Sequence, residues 1–224
     1  MKFDPTNTAV VVIDPQIDVL SPTGRNWAVV GASVTENDTV AHLAQLMEAA
    51  VAQGYPLVIS PHYFYPSDSQ WFFNGPLESD EFATGTFARA GALDLTDFAG
   101  SGADWLPALA PYINRPTTTV ASPHKVFGPQ TNDVVLQLRK RGCDRVILAG
   151  MLANMCVESH LRHLLEDGFE VAVAVDAVAG PRHPAWGDGY QAALVNYRFL
   201  AHAVLPTVEI VSAMNDAACI TERM

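Results

Sequence analysis

Three segments of this chain are apolar at almost every position rather than at every second one. They are residues 8–13 (TAVVVI), 145–149 (RVILA) and 170–175 (EVAVAV), and the first and last stop at an aspartate, Asp14 and Asp176. A strand with one face in water alternates polar and apolar side chains, whereas an unbroken apolar strand is covered on both faces. The way to cover both faces is a parallel sheet between two layers of helices. Residues 56–60 (PLVIS) and 117–121 (TTTVA) read as two further buried strands, and 208–211 as a weaker sixth. Helical periodicity fills the intervals at 41–52, 131–141, 156–167 and 189–205, with Gly54, Gly142 and Gly168 as stops for the first three. The expected fold is therefore α/β: a three-layer α/β/α, Rossmann-like single domain over residues 1–224 with a six-stranded, mainly parallel sheet.

Composition agrees with a packed domain. Hydrophobic residues make up 49% of the chain and charged residues only 17%, which excludes a disordered polymer. The net charge of −11 argues against nucleic-acid and anionic-membrane partners, because both require clustered Lys and Arg. The first residues, MKFDPTNTAVVVID, lack the basic and long apolar segments of a secretory signal. No apolar stretch approaches the roughly 18 residues that span a bilayer. The cysteines, Cys143, Cys156 and Cys219, form neither a CxxC pair nor a disulfide-like set, so a reducing cytoplasm is the expected compartment. No GxGxxG or Walker-type loop signals a nucleotide, and the expected partner is a small-molecule substrate.

Parallel α/β sheets carry their sites at the carboxyl ends of the strands. Asp14 follows the first strand, Lys125 the third, and Cys156 the fourth, across the turn GMLANM. Each has an ordinary alternative, as a turn residue, a solvated charge or a small buried hydrophobe. Joint placement at one rim makes them a catalytic set. A thiol attacks only as thiolate, which a helix start and a nearby ammonium both favour. Asp14 would take the thiol proton and return it to the leaving group. Backbone N–H groups in the turn before Cys156 would hold the oxyanion.

The segments VVIDPQIDVL, HKVFGPQTNDVVLQL and VILAGMLANMCVESHLRHLLEDGFEVAVAVDAVAG resemble the three signatures of the isochorismatase-like cysteine hydrolases, from about Thr8 to Val211. That superfamily includes nicotinamidases, N-carbamoylsarcosine amidohydrolases, and biuret and ureidoacrylate hydrolases. The resemblance implies Asp14 as general acid/base, Cys156 as nucleophile and Lys125 as the cation supporting both. It also implies a non-proline cis peptide between Met151 and Leu152, with the amides of Leu152 and Cys156 facing the oxyanion, and assembly as a homodimer or homotetramer.

Two departures narrow the reading. Nicotinamidases carry a metal-binding Asp-x-His after strand two, where this chain has Ser60-Pro61-His62. No metal and no cofactor are therefore expected. Isochorismatases that act on a vinyl ether lack the nucleophilic cysteine, so Cys156 points to C–N cleavage in an amide, imide or ureido compound. Isochorismatase-type hydrolysis of another small molecule, a thiol redox role and a non-catalytic binding role are the alternatives.

Residues 61–115 break the rhythm, being rich in Gly, Pro and aromatics. A segment of that length is expected to be a lid, a pocket wall or a subunit contact. His62, Phe64, Trp71 and Phe72, with Tyr63 and Phe73, are its candidate substrate contacts. His160 and His163, three apart, are expected to be structural or exposed. His183 and Trp186 remain open, and Cys143 and Cys219 carry no assigned role.

Overall fold

The computed structural model describes residues 1–221, with side chains as far as residue 217. Strands β1 (Thr8–Ile13), β2 (Leu57–Ser60), β3 (Thr119–Val120), β4 (Arg145–Met151), β5 (Glu170–Ala179) and β6 (Ala203–Leu205) form one sheet in the order β3-β2-β1-β4-β5-β6. Every pairing in it is parallel. The helices are α1 (Ile17–Leu20), α2 (Trp27–Glu36), α3 (Thr39–Ala52), α4 (Pro76–Thr84), α5 (Ala110–Ile113), α6 (Val134–Lys140), α7 (Glu158–Glu166), α8 (Gly189–Leu200) and α9 (Thr207–Thr221).

The two-sided burial read from the strands divides residue by residue. Val10, Val12, Ile59, Ile147 and Ala149 face one core with Leu43, Leu46 and Met47 of α3 and Ile210 and Met214 of α9. Their sequence neighbours Ala9, Val11, Ile13, Val146 and Leu148 face a second core with Val134 and Leu138 of α6, Leu161 and Leu164 of α7, and Tyr197 of α8. Successive side chains of a strand point to opposite faces, so an unbroken apolar run fills two cores at once.

The chain end is where the expected elements change type. The expected helix over 189–205 stops at Leu200, and residues 203–205 leave it to pair with β5. The expected strand over 208–211 is instead the first turn of α9. Pro206 ends the strand, and Asp176 accepts hydrogen bonds from the Thr207 amide and hydroxyl at 2.8 and 2.6 Å, holding the first turn of a helix. Ile210 and Met214, four apart, then face the sheet, so the apolar run has a helical use that its β-branched composition hides. Helices α1, α2, α4 and α5 lie in segments where no helix is expected, and each is short or weakly amphipathic.

Strands β1 and β4 are neighbours where the strand order reverses, in register Ile13 to Gly150, so Asp14 and the turn to Cys156 leave the sheet side by side. Gly150 has φ +113°, and a Cβ there would lie 2.0 Å from the Ile13 carbonyl oxygen. Gly150→Ala should therefore separate the two strands that carry the site and lower the unfolding free energy by about 3 kcal/mol. Urea denaturation measures this, and an unchanged midpoint would refute the close approach.

Candidate active site

Asp14 terminates β1 in a left-handed conformation, φ 49°, and is 1% exposed. Its amide donates to the Ser60 carbonyl at 3.0 Å, so β2 ties it down. The chain then runs through Gln16, whose side chain is saturated. Its Oε1 accepts from the His62 amide at 2.9 Å, and its Nε2 donates to the carbonyls of His62 and Ala103 at 2.9 and 2.8 Å. Gln16 thus clamps His62 beside Asp14 and anchors the 61–115 segment. Gln16→Leu strands three buried polar groups and should cost about 2 kcal/mol in chemical denaturation, whereas Gln16→Glu, whose protonated carboxyl keeps one acceptor and one donor, should lose less relative to the parent at the same low pH. Equal losses in the two variants would argue against the clamp.

The bond between Met151 and Leu152 is cis, as the resemblance implies. After it comes a single π-helical turn, Ala153–Val157, that delivers Cys156 before α7 begins. Cys156 therefore sits in a π turn rather than at the first residue of an α-helix. The amides of Met155 and Val157 both donate to the Leu152 carbonyl, at 3.0 and 3.2 Å, closing the turn. Tyr197 of α8 donates its hydroxyl to the Ala153 carbonyl at 2.5 Å. The Cys156 thiol is buried and donates to the Val126 carbonyl at 3.9 Å, with its sulfur within 4.8 Å of an Asp14 carboxyl oxygen.

Lys125 does not join them. Its ammonium donates to Asp68 at 2.5 Å and to the Tyr63 carbonyl at 3.0 Å, and sits 3.7 Å over the Tyr65 ring. The side chain in contact with Asp14 is that of its neighbour, His124, with Nε2 2.8 Å from Oδ1. The reason is the two-residue period of extended chain. The His124 amide donates to the Pro61 carbonyl and the residue bridges to His62 in parallel fashion, so residue 124 points inward and residue 125 to the other side. What sequence reasoning missed lay one position away, masked by the lysine in the motif.

The histidine tautomers follow from their partners. His62 Nε2 meets the Lys125 carbonyl at 2.6 Å, so Nε2 carries the proton and Nδ1 the lone pair. His160 Nδ1 meets the Cys156 carbonyl at 2.7 Å and must donate, which leaves Nε2 to accept from Ser60 Oγ at 2.9 Å. Asn132 in turn donates to Ser60 at 2.8 Å. This relay from the turn before α6 through β2 to the π turn holds Cys156 in place. The expectation of a structural role holds for His160. His163, on another face of α7, pairs with Asp167 at 3.2 Å.

Electrostatics favour a neutral resting site. Burial raises Asp14 to about 7, against the opposing pull of His62 and His160 and the hydrogen bond from Cys156. Burial, reinforced by the Asp14 and Glu81 carboxyls, drives the Cys156 thiol well above its usual range, and the Leu152 amide acts in the other direction. Burial holds His62, His124 and His160 at about 3, so all three imidazoles are neutral near pH 7.

The 61–115 segment folds into the wall of a cleft of about 410 Å³, lined by Phe64, Glu81, Phe82, Thr86, Arg89 and Phe98. The Phe64 ring meets His62 at a tilt, with centroids 4.5 Å apart, which connects the wall to the buried cluster. Trp71 packs edge-on to Phe64 and Phe82 behind the cleft. Phe72 is a correction: it is 90% exposed and packs edge-on to Phe73, itself 84% exposed, because the short turn over residues 68–70 ends before them and directs both rings to solvent. Trp186 stacks on His183 at 3.9 Å, and Cys143 is buried in the second core. Cys219 lies outside the described side chains.

A family model described as the Isochorismatase domain matches residues 8–209. An isochorismatase family protein, YecD of Escherichia coli O157:H7, is 47% identical over 45 residues, 20% of this chain and 24% of that protein, so the chain matches only about a quarter of that relative's length. Among solved structures, a cysteine hydrolase from Pseudomonas syringae pv. phaseolicola 1448A superposes with a TM-score of 0.78 at 21% identity, covering 97% of this chain and 96% of that one. An isochorismatase family protein from Desulfovibrio vulgaris subsp. vulgaris str. Hildenborough gives 0.71 at 19% identity, covering 93% and 98%. At these identities the superpositions establish the fold. Among the described residues, no helix is long and apolar enough to cross a membrane.

Proposed function

The chain belongs to the isochorismatase family, and on that premise we propose that it is a cysteine hydrolase cleaving a C–N bond of a small amide, imide or ureido compound. The observation that carries this reading is the shared burial of the Cys156 thiol and the Asp14 carboxyl, with sulfur and oxygen within 4.8 Å of each other. With the thiol neutral at rest and Asp14 held near 7, the proton passes from sulfur to carboxylate as the sulfur attacks, without a standing thiolate. The substrate carbonyl becomes an oxyanion, for which the amides of Leu152 and Cys156 are the proposed donors. The C–N bond then breaks, Asp14 returns the proton to the departing nitrogen, and a thioester remains on Cys156. Water attacks the thioester and gives its proton to Asp14. The acid leaves, and the sulfur recovers that proton.

His124 takes the supporting place that the resemblance assigns to Lys125. As a neutral imidazole donating from Nε2, it orients Asp14 and favours its ionised form without adding charge. A hydrogen bond to a charged group is worth about 1.5–3 kcal/mol, so His124→Ala should lower kcat/KM about 10- to 100-fold and raise the pH at which activity appears. Lys125→Ala should change kcat far less, acting through the wall that Asp68 and Tyr65 help to form. A larger kcat loss for Lys125→Ala than for His124→Ala would reverse these assignments.

Incubation with a panel of small amides, imides and ureides tests the function. The expected result is ammonia or amine release, with an acyl mass increment on the peptide containing Cys156 after rapid acid quench. Failure of every panel member to give either signal would overturn the proposal. The exposed Phe72 and Phe73 support self-association as the second role of the 61–115 segment, and sedimentation velocity on a Phe72→Ser, Phe73→Ser variant tests it.

A further inference from the structure

One ligand-capable atom from each of Asp14, His62, His124 and Cys156 lies within 4.8 Å of all the others, and all four side chains are buried. Two ring nitrogens in this group, His62 Nδ1 and His124 Nδ1, have no hydrogen-bond partner. For His62 the unpaired atom is an available lone pair, since Nε2 is committed to the Lys125 carbonyl. A buried polar atom without a partner costs about 1–3 kcal/mol, so two of them beside one carboxylate and one thiol require an explanation. Hydrolysis through Cys156 and Asp14 uses neither.

The donor set is informative. Imidazole and thiolate with a single carboxylate suit zinc, whereas magnesium and calcium take oxygen ligands. Around zinc, with bonds of about 2.0 Å to nitrogen and 2.3 Å to sulfur, tetrahedral ligands stand roughly 3.5 Å apart. The observed spread therefore closes onto an ion with side-chain shifts of about 1 Å. The second shell also exists: Gln16 fixes the His62 backbone on both sides, and the Lys125 carbonyl takes the His62 Nε2 proton. An Asp-x-His pair is not involved, since Ser60 is committed to His160 and Asn132.

We propose that Asp14, His62, His124 and Cys156 bind one zinc ion, and that the zinc-bound protein is an inactive, protected form. Binding releases the Cys156 thiol proton, and the Asp14 proton where the carboxyl carries one, to solvent, forms the Zn–S and Zn–O bonds and involves no redox change. It removes the nucleophile and its proton acceptor together. Removal of the ion by a chelator restores both. The site rests on the geometry alone, and only its inhibitory consequence rests on the cysteine-hydrolase reading.

Cobalt(II) chloride, titrated into the full-length protein after EDTA treatment and buffer exchange, is the probe. One equivalent should produce thiolate-to-cobalt charge-transfer absorption in the near ultraviolet and the intense visible bands of a tetrahedral ion. Zinc chloride should erase both and block alkylation of Cys156 by iodoacetamide. Cys156→Ser should abolish the charge-transfer band, and His62→Ala should weaken binding by at least about 100-fold. Circular dichroism confirms folding of each variant, and His124→Asn is a second imidazole deletion should His62→Ala not fold. No charge-transfer band, or cobalt affinity unchanged in both imidazole variants, overturns the site. Amide hydrolysis that persists under saturating zinc overturns the inhibitory role. A cobalt band without hydrolysis of any amide would uphold the site while removing the hydrolase reading, so the two failures are distinct.

Discussion

Replacing Cys156 with alanine is expected to lower kcat/KM by about four orders of magnitude or more, with the fold intact. The proposed mechanism loses its covalent step, and Cys143, the other cysteine with a described side chain, lies in the second core. The residual rate would come from binding and oxyanion donors alone. The cavity left is small, because alanine removes one sulfur from a turn held independently by Tyr197, His160 and the Leu152 carbonyl. Thermal stability should therefore change little while activity and the acyl mass increment both vanish. Undiminished ammonia release from Cys156→Ala would end the cysteine-hydrolase assignment. Asp14→Asn should be nearly as damaging, since an amide can neither take the thiol proton nor return it.

Acidification should cost this protein about 3 kcal/mol of stability per pH unit between about pH 6 and 4.5, from its buried site alone. His62, His124 and His160 titrate at about 3 in the fold and near 6.5 in the unfolded chain, because burial disfavours the imidazolium. Below 6.5 the unfolded state thus binds three protons that the folded state refuses, and stability falls as pH falls. Asp14 works in the opposite sense. Raised to about 7, it already holds its proton in the fold across this range, while the unfolded carboxyl takes one only near 3.8. The net difference is about two protons, each contributing about 1.4 kcal/mol per pH unit. From neutrality to pH 4 the summed loss is about 6 kcal/mol, a large part of a typical total of about 5–15 kcal/mol. Urea unfolding at pH 6.5, 5.5 and 4.5 measures the slope. His160→Asn, which retains a donor for the Cys156 carbonyl, should reduce it by about one proton. A flat profile in the parent protein would mean that solvent protons reach these rings in the folded state.

The candidate site was partly legible in the sequence. Asp14 and Cys156 stand at the ends of strands whose apolar runs are unmistakable, and strand order alone brings two such ends together. Leu152 and its cis bond came with the motif around Cys156. Lys125 stands out in the sequence because a charged side chain in the motif carries more chemical signal than the neutral imidazole beside it. Direction along an extended segment depends on a register that sequence does not display, and one step exchanges inward for outward. His62 was anticipated as a substrate contact and became part of the buried cluster. His160 looked no different from His163, three positions away, until the relay through Ser60 and Asn132 separated them. Gln16 carried no signal at all, since a glutamine announces a clamp only through its partners.

By itself, the sequence determined the layered α/β architecture, because covering both faces of an apolar strand leaves few packings open. It also determined the identity of the thiol and the acid, which local turns place at strand ends. Tertiary structure alone decided which imidazoles converge on them, where Lys125 points, which aromatics wall the cleft, and that residues 207–221 form a helix. Each of those outcomes depends on contacts between segments tens of residues apart. Burial, which sets the protonation of the whole site, exists only once those segments have closed over it.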